Sequence, residues 1–220
     1  MDFNTGGGGT GGTDGSPSGP SGPPPPRTSG GAAGDEFRYT DPVQSFISTV
    51  QRVVVQPADF FRGILRQGDF INPLIFAIIC YEVSAILGGI IALAFGNQGF
   101  GAFIVSIILA PIGTAIALFI GAGILYLLVM LIVGSRNAGY EATFRVGAYA
   151  AVTSLVSWIP FIGWIASLYG IYLAIVGIRE VHNTTTGKAA LVVLIPAAVV
   201  LLLVLILVAI GAALFFGTQQ

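Results

Sequence analysis

A carboxylate in the middle of an apolar block is the first residue in this sequence whose type and position could do chemistry. Glu82 sits inside residues 73–95, which are otherwise apolar apart from Tyr81 and Ser84. In hydrocarbon such a group costs about 3 kcal/mol and faces a bundle interior or a cavity. Two readings follow. In one, Glu82 is a proton or ion site in a small transporter or channel component. In the other, it is a hydrogen-bonded carboxyl that fixes helix packing. No second acidic or basic residue lies inside any apolar block, so a proton relay has no further member.

The remaining candidates are polar residues between the blocks. Glu141 and Arg145 stand four apart in the favourable orientation for a helical pair and read as a solvated helix end. His182 lies in Arg179-Glu180-Val181-His182-Asn183 and reads as a solvated loop residue. The single cysteine, Cys80, and the single histidine form neither a disulfide nor a metal cluster. No nucleophile–base pair, phosphate loop or metal spacing is present. The sequence therefore points to a protein that is not an enzyme and needs no cofactor. A net charge of −1 without a basic stripe argues against nucleic acid as a partner.

The elements that would position these residues are membrane helices. Apolar residues make up 55% of the chain and charged residues only 9%, too few charges to cover a soluble core of that composition. The apolar residues gather in blocks at 73–95, 102–133, 146–178 and 189–216. About 20 apolar residues make one crossing, so the middle blocks are too long to count by length alone.

Charge placement settles the count. Arg27, Arg38, Arg52, Arg62 and Arg66 precede the first block, Arg136 and Arg145 follow the second, and Arg179 and Lys188 follow the third. The linker Gly96–Gly101, the break near Pro160 and the tail after Phe216 carry no cation. Cationic loops stay in the cytoplasm. Keeping all three cationic regions on one side requires two crossings in 73–133, two in 146–178 and one in 189–216. The expected fold is thus an all-α, five-helix transmembrane bundle in the plasma membrane, N-terminus cytoplasmic and C-terminus outside. Residues 102–133 would form one long, tilted or Pro-bent helix around Pro111. Residues 146–178 would turn at Ile159–Gly163, where Trp158 and Trp164 suit the outer interface. A re-entrant hairpin there would keep the same parity.

Three domains follow. Residues 1–40 are a Gly/Ser/Pro-rich tail, too poor in apolar groups to fold, and are expected to be disordered. Residues 41–70 form N-terminal amphipathic helices: Asp41 can cap, Pro42 suits a first turn, and Phe60, Phe61, Ile64 and Leu65 oppose Arg62 and Arg66. They would lie in the interface with Arg52, Arg62 and Arg66 toward anionic headgroups, or form a small cytosolic helical pair packing on the membrane domain. Residues 71–217 are the membrane domain proper. Within it, Gly113, Ala117 and Gly121 form one small-residue face and Ala166, Gly170 and Ala174 another, as close helix packing requires.

Two stretches carry a resemblance. Gln56–Ile64 (QPADFFRGI) with Asn72–Ile79 (NPLIFAII), and Gly139–Ala150 with Ile159–Leu191, resemble the Yip domain, named for interaction with Ypt/Rab GTPases, in its prokaryotic branch. The similarity covers roughly residues 41–216. It implies a five-helix membrane domain with a cytoplasmic N-terminus. Eukaryotic relatives bind small GTPases and shape secretory-pathway membranes; this chain lacks their acidic-aromatic-glycine-proline entry motif and has Gly68-Asp69-Phe70-Ile71-Asn72-Pro73 instead, which argues against GTPase binding. The expected role is a membrane adaptor or organiser. A membrane or cytoplasmic protein would be recognised by loops carrying Arg136, Glu141, Arg145, Arg179, Glu180, His182 and Lys188.

Overall fold

A computed structural model describes residues 36–217, with side chains to residue 215. Most of the Gly/Ser/Pro-rich tail, including Arg27, lies outside the described residues. These form helices α1 (Pro42–Val55), α2 (Pro57–Gly63), α3 (Ile71–Ala94), α4 (Phe100–Ile132), α5 (Tyr140–Ala150), α6 (Ile162–Val181) and α7 (Thr186–Gly217). A 3-10 segment, Ala151–Val156, continues α5. No strand occurs among the described residues.

Four helices are long and apolar enough to cross a membrane: α3, α4, α6 and α7. The chain is a multi-pass membrane protein. Helix α4 runs unbroken through Pro111 as one 33-residue helix, and lipid-facing Ile104, Ile108, Ile112 and Ile116 mark its exposed side. The missing proline N–H leaves one carbonyl to be re-satisfied locally, which membrane helices tolerate.

The piece between α4 and α6 differs from a conventional span. The 11 residues of α5 and six of the 3-10 segment together extend about 28 Å. They are largely buried rather than lipid-facing. Their direction follows from pairs of contacts. Tyr149 stacks near Phe76 and Ser157 bonds Ser84, so the segment runs parallel to α3. Tyr126 meets Tyr140 and Phe119 meets Phe144, so it runs antiparallel to α4. A Cβ at Gly177 would meet Val146 and one at Gly170 would meet Thr153, so it is antiparallel to α6 as well. The turn expected at Ile159–Gly163 is present, with Phe161 in the left-handed region at φ 66.

The two small-residue faces fare differently. On α6, Ala166 is buried and the Gly170 position closes on Thr153, so this face packs on the 3-10 segment. On α4, Gly113 and Gly121 have open space around them. With Ala117 they line a cavity of about 530 Å³ between α3 and α4, beside Tyr81 and Ala85. The expected close packing within the chain is absent along that face. Spacing shows that a face is smooth, not what fills it.

Helix α2 also departs from the interfacial reading. Phe60, Phe61 and Ile64 are buried in the protein core, leaving only Leu65 of that apolar face exposed. Helix α2 packs on α6.

Candidate functional site at the cation-bearing end

The segments following α2, α4 and α6 meet at one end of the bundle. The Gly68 N–H donates to Glu141 Oε2 at 2.7 Å, joining the first two. The Ala138 N–H donates to His182 Nδ1 at 3.0 Å, joining the second and third. Arg62 Nε donates to Glu180 Oε2 at 3.1 Å, and Arg66 reaches the Asn183 side chain, joining the first and third. The cations separated in sequence thus share one end.

Arg145 is the main surprise. It does not pair with Glu141 and is not solvated. It is 3% exposed and forms an ion pair with Glu36, itself 5% exposed. Glu36 Oε2 also accepts from Tyr149 Oη at 2.8 Å, and Oε1 accepts from the Leu65 N–H at 2.6 Å. Arg145 Nη2 donates to the Asp69 carbonyl at 2.8 Å. Phe37, next to Glu36, is buried against Phe46 and Phe76. Residues 36 and 37, placed in a solvated tail by composition, therefore belong to the core. The available signal was the change from Gly/Pro repeats to Glu36-Phe37-Arg38-Tyr39. Here a buried charge pair, rather than hydrocarbon contact alone, ties residue 36 to α5 near the cation-bearing end.

His182 is buried rather than solvated. Because Nδ1 accepts from Ala138, the ring proton sits on Nε2 and is donated to Thr143 Oγ1 at 3.0 Å. Thr143 Oγ1 in turn donates to the Gly139 carbonyl. Asn137 ties the same loop to itself, accepting from the Gly139 N–H at 2.9 Å and donating to the Gly134 carbonyl at 2.8 Å. Gly134 (φ 93) and Gly139 (φ 94) supply the left-handed corners. The 134–139 loop is therefore a built surface.

Burial, with the Arg66 charge second, pushes the His182 imidazole down from 6.5 to about 4. The unfolded chain then holds more protons than the folded one between about pH 6.5 and pH 4. Stability is full above that window and falls as pH drops through it. The thermal midpoint in detergent is expected to fall on acidification from pH 7 to pH 4.5. His182→Gln should remove a share on the order of 2 kcal/mol of that dependence. An unchanged acid profile in this variant would contradict the assignment.

Two adjoining clefts open on this end. One, about 500 Å³, is lined by Gln67, Ser135, Asn137 and Gly139 among others; the second, about 390 Å³, by Arg66, Gln67, Tyr140 and Glu141. Arg136, Asn183 and Lys188 are exposed around them. Arg179 and Arg62 both pair with Glu180, and Arg62 also pairs with Asp59. Of the recognition residues expected from sequence, Arg136, Arg179 and Lys188 keep surface roles, Glu141 and Glu180 brace loops, and Arg145 and His182 are internal.

Glu82 lies apart from this end, midway along α3. Its Oε1 is buried without a hydrogen-bond partner among the described residues. Among those residues no group of three or more His, Cys, Asp and Glu could hold a metal ion.

No curated protein and no solved structure matches this chain. A family model, the Yip1 domain, matches residues 52–208. That stretch begins in α1, takes in the two clefts, the buried Arg145 and the whole run of helices to the second half of α7. The chain belongs to the Yip1 domain family.

Proposed function

We propose that this protein is a non-enzymatic adaptor or organiser of a prokaryotic plasma membrane that recruits a protein partner to its cytoplasmic end. The observation that carries the reading is the gathering of the 65–70, 134–139 and 182–188 segments into one braced polar surface with two clefts. Among the described residues, the connections at the opposite end are the turns at 95–99 and 157–161, too short to recognise a large partner. The Yip1 family is not known for catalysis, which accords with a binding role. In this reading the α5/3-10 segment is a fifth crossing, so the cationic end is cytoplasmic and the C-terminus outside.

The arginines divide in this role. Arg62 is compensated by Asp59 and Glu180, whereas Arg66 contacts only the neutral Asn183 amide among the contacts described for it. Arg66 is therefore the better anchor for anionic headgroups.

Cysteines introduced at Arg136, Asn183 and Lys188, each exposed, should cross-link the same partner in native membranes. A variant with residues 183–188 scrambled should lose that partner. Equal recovery from the scrambled variant, or no reproducible partner at any site, would contradict the adaptor role.

A second reading rests on the unpartnered oxygen of Glu82, which fits a small transporter or channel component. It predicts that Glu82→Gln abolishes a flux in proteoliposomes while thermal stability stays unchanged. Loss of stability with no flux in the parent protein would leave Glu82 a packing residue.

A further inference from the structure

We propose that α1 and α2 form a helical hairpin inserted to about half the membrane depth, with one stripe of α1 solvated by the acyl chains of a single leaflet.

The path is fixed by contacts at successive levels. The hairpin starts at the cation-bearing end, where the Tyr39 N–H donates to Asn72 Oδ1 in the first turn of α3. Just over one turn into α1, Phe46 meets Phe76, 5.2 Å between ring centroids. At its far end the Val54 carbonyl accepts from Tyr169 Oη at 2.7 Å. Tyr169 lies twelve residues, about 18 Å, along α6 from Val181 at the cationic end. Helix α1 also touches the 3-10 segment, which lies in the far half of the bundle. The chain reverses at Gln56-Pro57. Helix α2 then descends past Tyr149 through Phe60, and Leu65 is back beside Glu36. The turn is thus the deepest point, reaching about half of a 30 Å hydrocarbon core.

The exposed surface of α1 agrees with depth, while on α2 the exposed Asp59 and Arg62 pair with each other and, through Arg62, with Glu180 at the cation-bearing end. Helix α1 turns Ser45, Thr49 and Val53 inward. Its outward residues include Val43 (72% exposed), Ile47 (52%), Val54 (43%) and Val55 (73%). Val43, Ile47 and Val54 fall on one helical stripe. A helix docked in water would be expected to show the reverse pattern. Because α1 runs inward, its side chains tilt back toward its N-terminus and so toward the headgroups. Gln44, Ser48 and Gln51, exposed on the adjacent edge, therefore point their polar ends shallow. A hairpin of this kind adds cross-section to one leaflet only, the physical requirement for a protein that organises membrane shape. The insertion itself stands whichever compartment that leaflet faces.

The test is depth. Single nitroxide-labelled cysteines at Val43, Ile47 and Val55 are made in the full chain on a Cys80→Ala background and reconstituted in phosphatidylcholine–phosphatidylglycerol vesicles. Lys188→Cys serves as the aqueous reference. Collision with dissolved oxygen should rise, and collision with an aqueous nickel chelate should be lost, in the order Val43, Ile47, Val55. Nickel access at Val55 equal to that at Lys188 would overturn the proposal. So would exclusion of both probes at Ile47 and Val55, which would mean that protein covers the stripe. Should a label lower the thermal midpoint, Val55→Trp in a Trp158→Phe, Trp164→Phe background reads the same depth. Quenching by brominated acyl chains is expected, and quenching only by aqueous acrylamide would overturn the proposal.

Discussion

Glu36→Ala is expected to destabilise the membrane domain by about 3–5 kcal/mol, the cost of leaving a buried guanidinium without its counter-charge. Arg145 is 3% exposed and is paired with Glu36, itself buried. Its other fixed acceptor is the Asp69 carbonyl. Loss of Glu36 also strands the Tyr149 hydroxyl and the Leu65 N–H, each of which bonds only that carboxylate in the described network. Thermal unfolding in mild detergent should show a large drop for Glu36→Ala and a similar one for Arg145→Ala. The double variant Glu36→Leu, Arg145→Met should recover most of the loss, because an apolar pair of similar volume carries no desolvation penalty. Additive losses in the double variant would mean that the two residues act separately.

Gly177→Leu is expected to cost about 3 kcal/mol by overpacking. A Cβ there would stand 2.5 Å from Val146 Cγ1 and 3.3 Å from Phe61 Cδ1, so a leucine wedges α6 away from both α5 and α2. Val146 and Phe61 are themselves fully buried and have no room to yield. The matched control is Gly113→Ala or Gly121→Ala on α4, where nothing lies within 4 Å. Those changes should be neutral or stabilise by up to about 1 kcal/mol through helix propensity. Equal losses for Gly177 and Gly121 would contradict the packing described for the two small-residue faces.

The features legible in the sequence were those that depend on contact with lipid or on where a cation stands. Lipid contact forces long uninterrupted apolar runs, so α3, α4 and α7 announce themselves, and α4 does so despite Pro111. The break at Pro160 was visible because proline, glycine and two tryptophans cluster there. The grouping of Arg62, Arg66, Arg136, Arg179 and Lys188 at one end was readable because charge position is set by the bilayer and needs no knowledge of packing.

The features that escaped depend on protein–protein contact inside the bundle. The α5/3-10 segment is shielded from lipid, so it admits Thr143 and Arg145, and hydropathy misjudges it. Arg145 looked like half of a surface pair because Glu141 stands at the right spacing. Its real partner, Glu36, is 109 residues away, next to a run of glycine and proline whose composition hides it. His182 reads as a loop residue by neighbours and is internal by geometry. The faces at Gly113 and at Gly170 have the same period, yet one lines a groove and the other a helix contact.

A fifth crossing by α5 and its 3-10 extension, as proposed, would put every cationic segment in one compartment. Labelling of intact cells with a membrane-impermeant maleimide tests it most directly, using single cysteines at Asn97, Ser135, Pro160 and Lys188. All four positions are exposed, and Cys80 is buried. Asn97→Cys and Pro160→Cys are expected to label from outside, and Ser135→Cys and Lys188→Cys only after the cells are opened. Labelling of Lys188→Cys in intact cells, with Ser135→Cys still protected, would contradict that crossing.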